Sequence, residues 1–276
     1  MYHGLDPGDG RYAACEAGVM PYVLSREAFR SHLQVLGEMG RRVVRPEDFL
    51  ANLGSCGSRP ALPSSSCCSD GLFPPGEVLL TFDDGMASDY DVALPELASA
   101  GCRALFFVVT GKVGERGRVS RAQLREMVAA GMSLGAHGHT HRYLTTLSAR
   151  EQRNELESSR KWLEDQVGVS VAALSLPGGR FNSHTLAAAR DRRFETVFTS
   201  APFPPRYREE EKIWTVGRVA VRTAWFGSLL VGFLGRQDKH LRRMRRADAA
   251  RRLAREFLGD GLYSRLHRLF WRLRGH

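Results

Sequence analysis

Short apolar runs alternate along this chain with segments in which apolar residues recur every three or four positions. A buried strand is apolar over about four to eight residues, so the runs predict strands at 78–82, 104–110, 132–137, 171–176, 195–199 and 214–221. The periodic segments predict amphipathic helices at 88–100, 120–130, 148–167 and 183–192. Repeated alternation of strand and helix favours an α/β fold, a parallel sheet or barrel with helices outside it.

Capping residues mark where several helices begin. An earlier periodic segment starts at Ser25, an N-cap residue type, and ends at Gly40. Ser120 and Ser148 are each followed three residues later by Gln or Glu, which is the capping-box pattern. These helices are therefore predicted with defined first turns.

Two segments interrupt this pattern. Residues 52–77 are rich in Gly, Ser, Pro and Cys, which is typical of a long flexible surface loop. Residues 236–276 contain thirteen Lys or Arg and four Asp or Glu, so most of the formal net charge of +10 lies there. Within this tail Leu262, Leu266, Leu269, Phe270 and Leu273 recur at helical spacing, with Arg265, Arg268 and Arg272 on another face and Trp271 beside them. The chain thus divides into a domain at 1–235 and a basic amphipathic helical tail at 236–276.

Polar or turn-forming residues follow three of the predicted strands. Asp83 and Asp84 follow one strand, His137 and His141 follow another, and a Pro-Gly-Gly turn at 177–179 follows a third. Because the carboxyl ends of parallel strands meet at one edge, these residues are expected to converge on one pocket.

Two histidines four residues apart lie on one side of a helical turn, where they can share a cation while His139 points elsewhere. One added carboxylate completes a two-histidine, one-carboxylate set and leaves the second aspartate free as a base. Each motif also has an ordinary structural explanation, a turn for Asp-Asp-Gly and a chance surface pair for the histidines. Their occurrence at successive strand ends favours a shared site.

The segments Thr81-Phe82-Asp83-Asp84-Gly85, His137 to His141 and Pro177-Gly178-Gly179 resemble the first three motifs of the polysaccharide deacetylase family. This family is also called the NodB-homology or carbohydrate esterase 4 group. The resemblance spans about residues 1–222 and implies a distorted (β/α)7 barrel of the NodB-homology type in the domain at 1–235. It also implies an enzyme that uses a divalent metal, commonly Zn2+, to remove acetyl groups from N-acetylated sugars.

The resemblance also assigns roles to individual residues. Asp83 is implied to be the catalytic base, and Asp84 is implied to bind the metal with His137 and His141. The turn at 177–179 is implied to contact the substrate, with a backbone N–H near Gly178 holding the oxyanion that forms during hydrolysis.

The sequence departs from the family pattern in three places. Ser175 stands where many members have an arginine two residues before the motif's proline, and Gly178 stands where they have an aromatic residue. No histidine lies at 213–235, near the usual place of the general acid. Tyr2-His3-Gly4 instead resembles a circularly permuted branch that acts on poly-N-acetylglucosamine and has this histidine at its N-terminus. His3 is thereby implied to protonate the leaving amine, and His184 is the second candidate.

The cysteines and the placement of the positive charge limit the kinds of site and partner that are expected. Five Cys without CxxC spacing favour free thiols in a reducing compartment over a zinc knuckle or a disulfide framework. The positive charge is concentrated in the tail and no nucleic-acid motif accompanies it, so no nucleic-acid partner is expected. A basic amphipathic helix suits an anionic membrane surface through residues 236–276. Two alternatives to a membrane surface stay open. The apolar stripe of this helix could pack on the barrel, or the basic face could bind an anionic glycan.

The expected location follows from what the sequence lacks. No run of about 18 apolar residues and no signal peptide are present in the sequence as written. We therefore expect a cytoplasmic protein, peripheral to the inner membrane. Residues upstream of Met1 would remove the basis for this expectation.

These observations predict a metal-dependent hydrolase that acts on an acetylamino sugar in a polysaccharide or lipid-linked glycan precursor. Its expected setting is exopolysaccharide or cell-envelope biosynthesis. Two alternatives stay open. One is a related hydrolase of another small amide C–N bond, such as a formamide or cyclic ureide. The other is a non-catalytic glycan-binding or membrane-bound relative, which the departures at 175 and 178 would suit.

Overall fold

The computed structural model describes residues 1–8, 22–57 and 76–223, together with residues 230, 242–251, 253–254, 257–258 and 263. Eleven short strands and six α-helices lie within residues 1–223, and residues 242–251 are also helical. The strands are β1 (Leu5–Asp6), β2 (Leu24–Ser25), β3 (Arg42–Val43), β4 (Glu77–Val78), β5 (Thr81–Phe82), β6 (Leu105–Val108), β7 (Ser133–Ala136), β8 (Ala173–Ser175), β9 (Thr196–Phe198), β10 (Arg206–Arg208) and β11 (Ile213–Val216). The helices are α1 (Arg26–Glu38), α2 (Pro46–Gly57), α3 (Leu94–Ser99), α4 (Arg121–Ala129), α5 (Ala149–Val167) and α6 (Ser183–Asp191).

The predicted α/β barrel fold is confirmed, as a curled sheet that forms a half-barrel. Seven strands are ordered β10-β11-β9-β8-β7-β6-β5, and all of them are parallel except the edge strand β10. The first two residues extend this sheet beyond β5. Tyr2 N–H donates to the Thr81 carbonyl at 2.7 Å, and Val221 N–H donates to the Met1 carbonyl at 2.9 Å. Residues 1–2 therefore join β5 to the segment that follows β11.

The centre of the sheet is buried on both faces, as a parallel sheet covered by helices must be. All four residues of β6 are buried. The ring of Phe82 stacks between those of Tyr2 and Phe106, with centroid distances of 5.2 and 4.7 Å. This aromatic column fixes the positions of Tyr2 and β5, and therefore of the residues that follow them at the edge of the sheet.

The predicted helix starts are confirmed. The Ser25 side chain accepts a hydrogen bond from Ala28 N–H, and complete capping boxes form at Ser120 and Ser148. The helix predicted at 88–100 begins instead with a π-helical turn at Asp89–Ala93 before α3.

The interpretation of 52–77 as a loop is wrong at both ends. Residues 52–57 belong to α2, because Phe49 and Leu53 lie one helical turn apart and are both buried. Glu77 begins β4, and residues 58–75 lie outside the described residues.

Two strand predictions also need correction. The single strand predicted at 78–82 is divided, because β4 pairs with β3 in a separate two-stranded sheet while β5 enters the main sheet. The strand predicted at 214–221 ends at Val216, and β10, which pairs with it, was not predicted.

Part of the tail is described. Residues 242–251 are helical, and Arg245 Nε donates a hydrogen bond of 2.7 Å to the Pro202 carbonyl. The apolar stripe and arginine face predicted at 262–273 lie outside the described residues. Among the residues that the structure describes, no helix has the length and apolar character needed to cross a membrane.

Candidate active site

The strand ends bring four predicted residues together at one edge of the sheet. Asp83 and Asp84 follow β5, and His137 and His141 follow β7, two strands away. Asp84 has φ of 84° and Gly85 has φ of 66°, so the chain reverses sharply after β5. A Cβ at Gly85 would lie 3.2 Å from Cγ1 of Val108, which leaves little room for any other residue in this turn.

Three ligand atoms lie at the spacing that a metal requires. Nε2 of His137 is 3.4 Å and Nε2 of His141 is 3.2 Å from Oδ1 of Asp84. A tetrahedral zinc ion with bonds of about 2.1 Å separates its ligand atoms by about 3.4 Å. Oδ1 of Asp84 is buried, and no described residue donates a hydrogen bond to it. These residues therefore fit a divalent cation, and their nitrogen and oxygen donors suit zinc.

The electrostatics of this edge also favour a cation. Burial would lower the pKa of His137, but the charges of Asp83 and Asp84 outweigh burial and raise that pKa above its usual value. Burial would raise the pKa of Asp84, but the neighbouring imidazoles His137 and His141 hold it well below its usual range. Two carboxylates thus stabilise positive charge at the histidines, whether a proton or a metal carries it.

The loop from His137 to His141 is not the helical turn that the spacing predicted. Gly138 and His141 both have positive φ, 76° and 63°, and the segment is irregular. Glu155 of α5 stabilises it, because its Oε2 accepts the backbone N–H groups of His139 and Thr140, each at 2.9 Å. The two ligand histidines still meet, with ring centroids 5.0 Å apart.

His139 is not grouped with Asp84, His137 and His141, although the helical turn on which that expectation rested is absent. Its Nδ1 lies 3.0 Å from Oγ1 of Thr110. The orientation of His137 is set from the neighbouring strand instead. Its Nδ1 lies 2.8 Å from the Ser175 carbonyl, which can only accept, so Nδ1 carries the proton and Nε2 offers its lone pair to the cation.

Arg218 is the main residue that the sequence reasoning missed. Its guanidinium donates to both oxygens of Asp83, at 2.7 and 2.8 Å, and to Oγ of Ser175 at 2.6 Å. Burial would raise the pKa of Asp83, but the Arg218 charge and hydrogen bonds lower it to about 2. Asp83 is therefore ionised and fixed in orientation, with its Oδ2 3.9 Å from Nε2 of His137.

Ser175, which stands where many family members have an arginine, contacts Arg218. Oγ of Ser175 donates to Oδ2 of Asp83 at 3.0 Å and leaves space for the arginine that comes from beyond β11. The available signal was a lone arginine in the apolar sequence Val216 to Val221. It was missed because that segment was interpreted as the interior of a strand.

The turn at 177–179 follows β8, as predicted, and forms a short 3-10 turn in which both glycines have positive φ. Gly179 N–H donates to the Leu176 carbonyl at 2.7 Å, so this N–H is already used within the turn. A Cβ at Gly178 would lie 2.6 Å from Cε1 of Tyr143. Gly178 therefore accommodates the tyrosine ring as well as the turn.

His3 lies beside the site because Tyr2 pairs with β5. Asp83 N–H donates to the Tyr2 carbonyl at 3.0 Å, so His3 follows at the same edge. Nδ1 of His3 is buried and has no partner among the described residues, while the ring lies 4.9 Å from that of Tyr22. Burial lowers the pKa of His3, although the nearby charges of Asp83 and Asp84 oppose this shift.

His184, the second candidate for the acid, lies in α6 and is exposed. A third carboxylate, Asp89, lies in the π-helical turn that begins the helix predicted at 88–100. It is buried, and neither of its oxygens has a partner among the described residues. Burial, together with the charge of Asp84, raises the pKa of Asp89 well above its usual value.

Comparison with known proteins agrees with this geometry. Residues 71–197 match the family model described as "Polysaccharide deacetylase", a range that contains Asp83, Asp84, both ligand histidines and the 177–179 turn. His3 and Arg218 lie outside the matched range.

Three similar proteins cover most of the chain. YxkH of Bacillus subtilis (strain 168), which is classed with the polysaccharide deacetylases, is 24% identical over 85% of this chain and 74% of its own. The solved structure of the deacetylase PplD of Streptococcus pyogenes in complex with acetate has a TM-score of 0.67 and 24% identity, over 85% of this chain and 96% of its own. IcaB of Ammonifex degensii has a TM-score of 0.62 and 26% identity, over 84% of this chain and 94% of its own.

The sequence motifs, the curled sheet and the arrangement of residues at its edge all agree with these matches. Residues 71–197 of the chain are therefore identified with the polysaccharide deacetylase family, a family of hydrolases that act on non-peptide carbon–nitrogen bonds.

Proposed function

We propose that this protein is a metal-dependent N-deacetylase that acts on an acetylamino sugar of a polysaccharide or lipid-linked glycan precursor. Deacetylation of N-acetylated sugars is the activity that its family supports. The observation that carries the proposal is the unequal environment of the adjacent aspartates. Asp84 presents an unpartnered oxygen to two histidines, whereas Asp83 is held by Arg218.

Each group then has one task in the hydrolysis. Asp84, His137 and His141 would hold a divalent cation, which we propose to be zinc, and the bound cation would polarise the acetyl carbonyl and lower the pKa of water. Asp83 accepts the proton of the attacking water, and Arg218 keeps it ionised and correctly aimed. His3 donates a proton to the sugar nitrogen as the C–N bond breaks, releasing acetate and a free amine.

Two further features support this division of tasks. Because the pKa of Asp83 is about 2, the base is ionised at every pH at which the ligand histidines are neutral. In the 177–179 turn, Gly179 N–H is bonded to Leu176, which leaves Gly178 N–H as the proposed donor to the oxyanion.

The test is metal analysis of the purified protein combined with acetate release from short N-acetylglucosamine oligomers. Asp83→Asn and His137→Ala should each abolish acetate release, and His184→Ala, on the exposed start of α6, is the matched histidine control. Acetate from no N-acetylhexosamine, with release from formamides or cyclic ureides, would favour the related amide hydrolase. Glycan binding without turnover under any divalent metal would select the non-catalytic relative.

We also propose that the basic tail lies on an anionic membrane surface, with the enzyme cytoplasmic and acting in exopolysaccharide or cell-envelope biosynthesis. Leu253, Phe257 and Leu258 are 52, 88 and 42% exposed, and they lie close together in the sequence next to the arginines of 242–251. Exposed apolar residues beside basic ones suit such a surface. Sedimentation with phosphatidylglycerol vesicles should depend on salt and on Phe257, whereas binding to neutral vesicles alone would contradict the proposal.

A further inference from the structure

Tyr143 connects the two sides of the candidate active site. It lies two residues beyond His141, so their Cα atoms are at most about 7 Å apart. Its ring lies directly against Gly178 of the 177–179 turn, where a Cβ would be 2.6 Å from Cε1. The ring is therefore next to the proposed oxyanion donor, and the backbone of Tyr143 is close to that of His141.

The ring is also fixed in place before any substrate arrives. Cζ of Arg180 lies 4.2 Å from the ring centroid, which is a close cation–π contact. The Tyr143 carbonyl accepts bonds from Thr146 N–H at 3.0 Å and from Oγ1 of Thr146 at 2.8 Å, which fixes its backbone. A ring that is already ordered loses little conformational freedom on binding a ligand.

The ring is nevertheless accessible. Tyr143 is 37% exposed, and it is one of only five exposed large hydrophobic side chains among the described residues. The other four are Val169, Leu253, Phe257 and Leu258. A rigid, half-covered tyrosine at the mouth of a site offers an apolar face and a polar edge to a ligand.

We propose that Tyr143 is a specificity-determining residue that contacts the sugar unit adjoining the one that is deacetylated. The apolar C–H face of a pyranose ring would pack on the tyrosine, while Gly178 and Arg180 hold the tyrosine in position. This inference rests on the proposed function, since it assumes a glycan with at least two linked sugars. It predicts that binding strengthens with chain length because of Tyr143.

The experiment measures binding separately from turnover. In an Asp83→Asn background, calorimetry gives Kd for an N-acetylglucosamine tetramer and for the monomer. Adding Tyr143→Ala should raise Kd of the tetramer about tenfold, in line with the loss of one aromatic contact, and should change Kd of the monomer much less. Tyr143→Phe should restore Kd to within about twofold of the parent, because the ring is retained. Val169→Ala, which removes an exposed apolar side chain before β8, at the opposite end of that strand from the 177–179 turn, should leave both values unchanged.

Other outcomes decide against the proposal. It is overturned if Tyr143→Ala leaves the tetramer Kd unchanged, if Tyr143→Phe is as weak as Tyr143→Ala, or if the tetramer does not bind. A loss of bound zinc in Tyr143→Ala would likewise assign the residue to support of the histidine loop. If the unmodified enzyme releases no acetate but the Kd differences hold, the proposed catalysis fails while the sugar contact stands.

Discussion

Replacing Arg218 with Met removes the only described cation that bonds directly to Asp83. The aspartate would stay buried, but it would lose both guanidinium hydrogen bonds. The pKa of Asp83 is lowered from 3.8 to about 2 in the folded protein, which corresponds to roughly 2 kcal/mol of stability at neutral pH. Loss of one partner from a buried pair costs about 3–5 kcal/mol, because the remaining charge is left unpaired. We therefore expect Arg218→Met to lower the free energy of unfolding by at least 3 kcal/mol at pH 7, which is roughly the lower end of that range.

The sign of the pH dependence follows from the lowered pKa. The contribution of Asp83 is present above the unfolded pKa of 3.8 and is lost as pH falls through about 2. Without Arg218, burial dominates and raises the pKa of Asp83, so the carboxylate then destabilises the folded protein at pH 7. The difference between the parent and Arg218→Met should therefore shrink as the pH is lowered towards 3.

The assay is urea unfolding of metal-free protein, followed by circular dichroism at pH 7 and pH 3.5. A double-mutant cycle with Asp83→Asn isolates the pair, and we expect a coupling energy of about 2 kcal/mol or more. Arg218→Lys keeps the charge but lacks the bidentate geometry, so it should recover only part of the loss. The reasoning would be refuted if the stability losses of the two single variants add up to that of the double variant within about 0.5 kcal/mol. It would also be refuted if Arg218→Met loses the same free energy of unfolding at both pH values.

The other predictions concern the metal, the proposed acid and the histidine loop. Asp84→Asn should weaken zinc binding by more than about 100-fold in calorimetry, whereas Asp83→Asn should retain the metal, and equal losses would contradict the assigned asymmetry. Burial lowers the pKa of His3, and an acid must be protonated to act, so kcat/KM should fall as pH rises through a value below 6.5. His3→Ala should remove this limb of the pH profile, and an unchanged profile would exclude His3 as the acid. Glu155→Gln should weaken zinc binding about tenfold, because it loosens the histidine loop. Glu157→Gln, on the same helix, is the control and should leave zinc binding unchanged, because Glu157 pairs with Arg192, far from the histidines in sequence.

Local features of the fold were predictable because they depend on neighbouring residues. The caps at Ser25, Ser120 and Ser148 require contacts that span only three residues, and they form as predicted. The order of strands and helices followed from the apolar periodicity, which records burial directly. The helix α2 was missed because its Gly and Ser content concealed the anchoring pair Phe49 and Leu53.

The cluster that could hold a metal ion could be predicted for a similar reason. Asp84, His137 and His141 follow strands that lie near one another in a parallel sheet, so their meeting needs only the correct strand order. The conformation of the histidine loop could not be predicted, since Glu155 acts on it from a helix that comes later in the chain. The spacing indicated a helical turn, and the loop reaches the same meeting of imidazoles through two residues with positive φ.

By itself, the sequence determined the α/β pattern, the helix starts and the identity of the residues at each strand end. Only the tertiary structure decided how the two adjacent aspartates differ. Arg218 reaches Asp83 across 135 positions, and residues 1–2 place His3 there by joining β5 to the segment after β11. The physical reason is that propensity and periodicity act over a few residues, whereas the ionisation of a buried carboxylate depends on which distant charge the sheet brings within hydrogen-bonding distance.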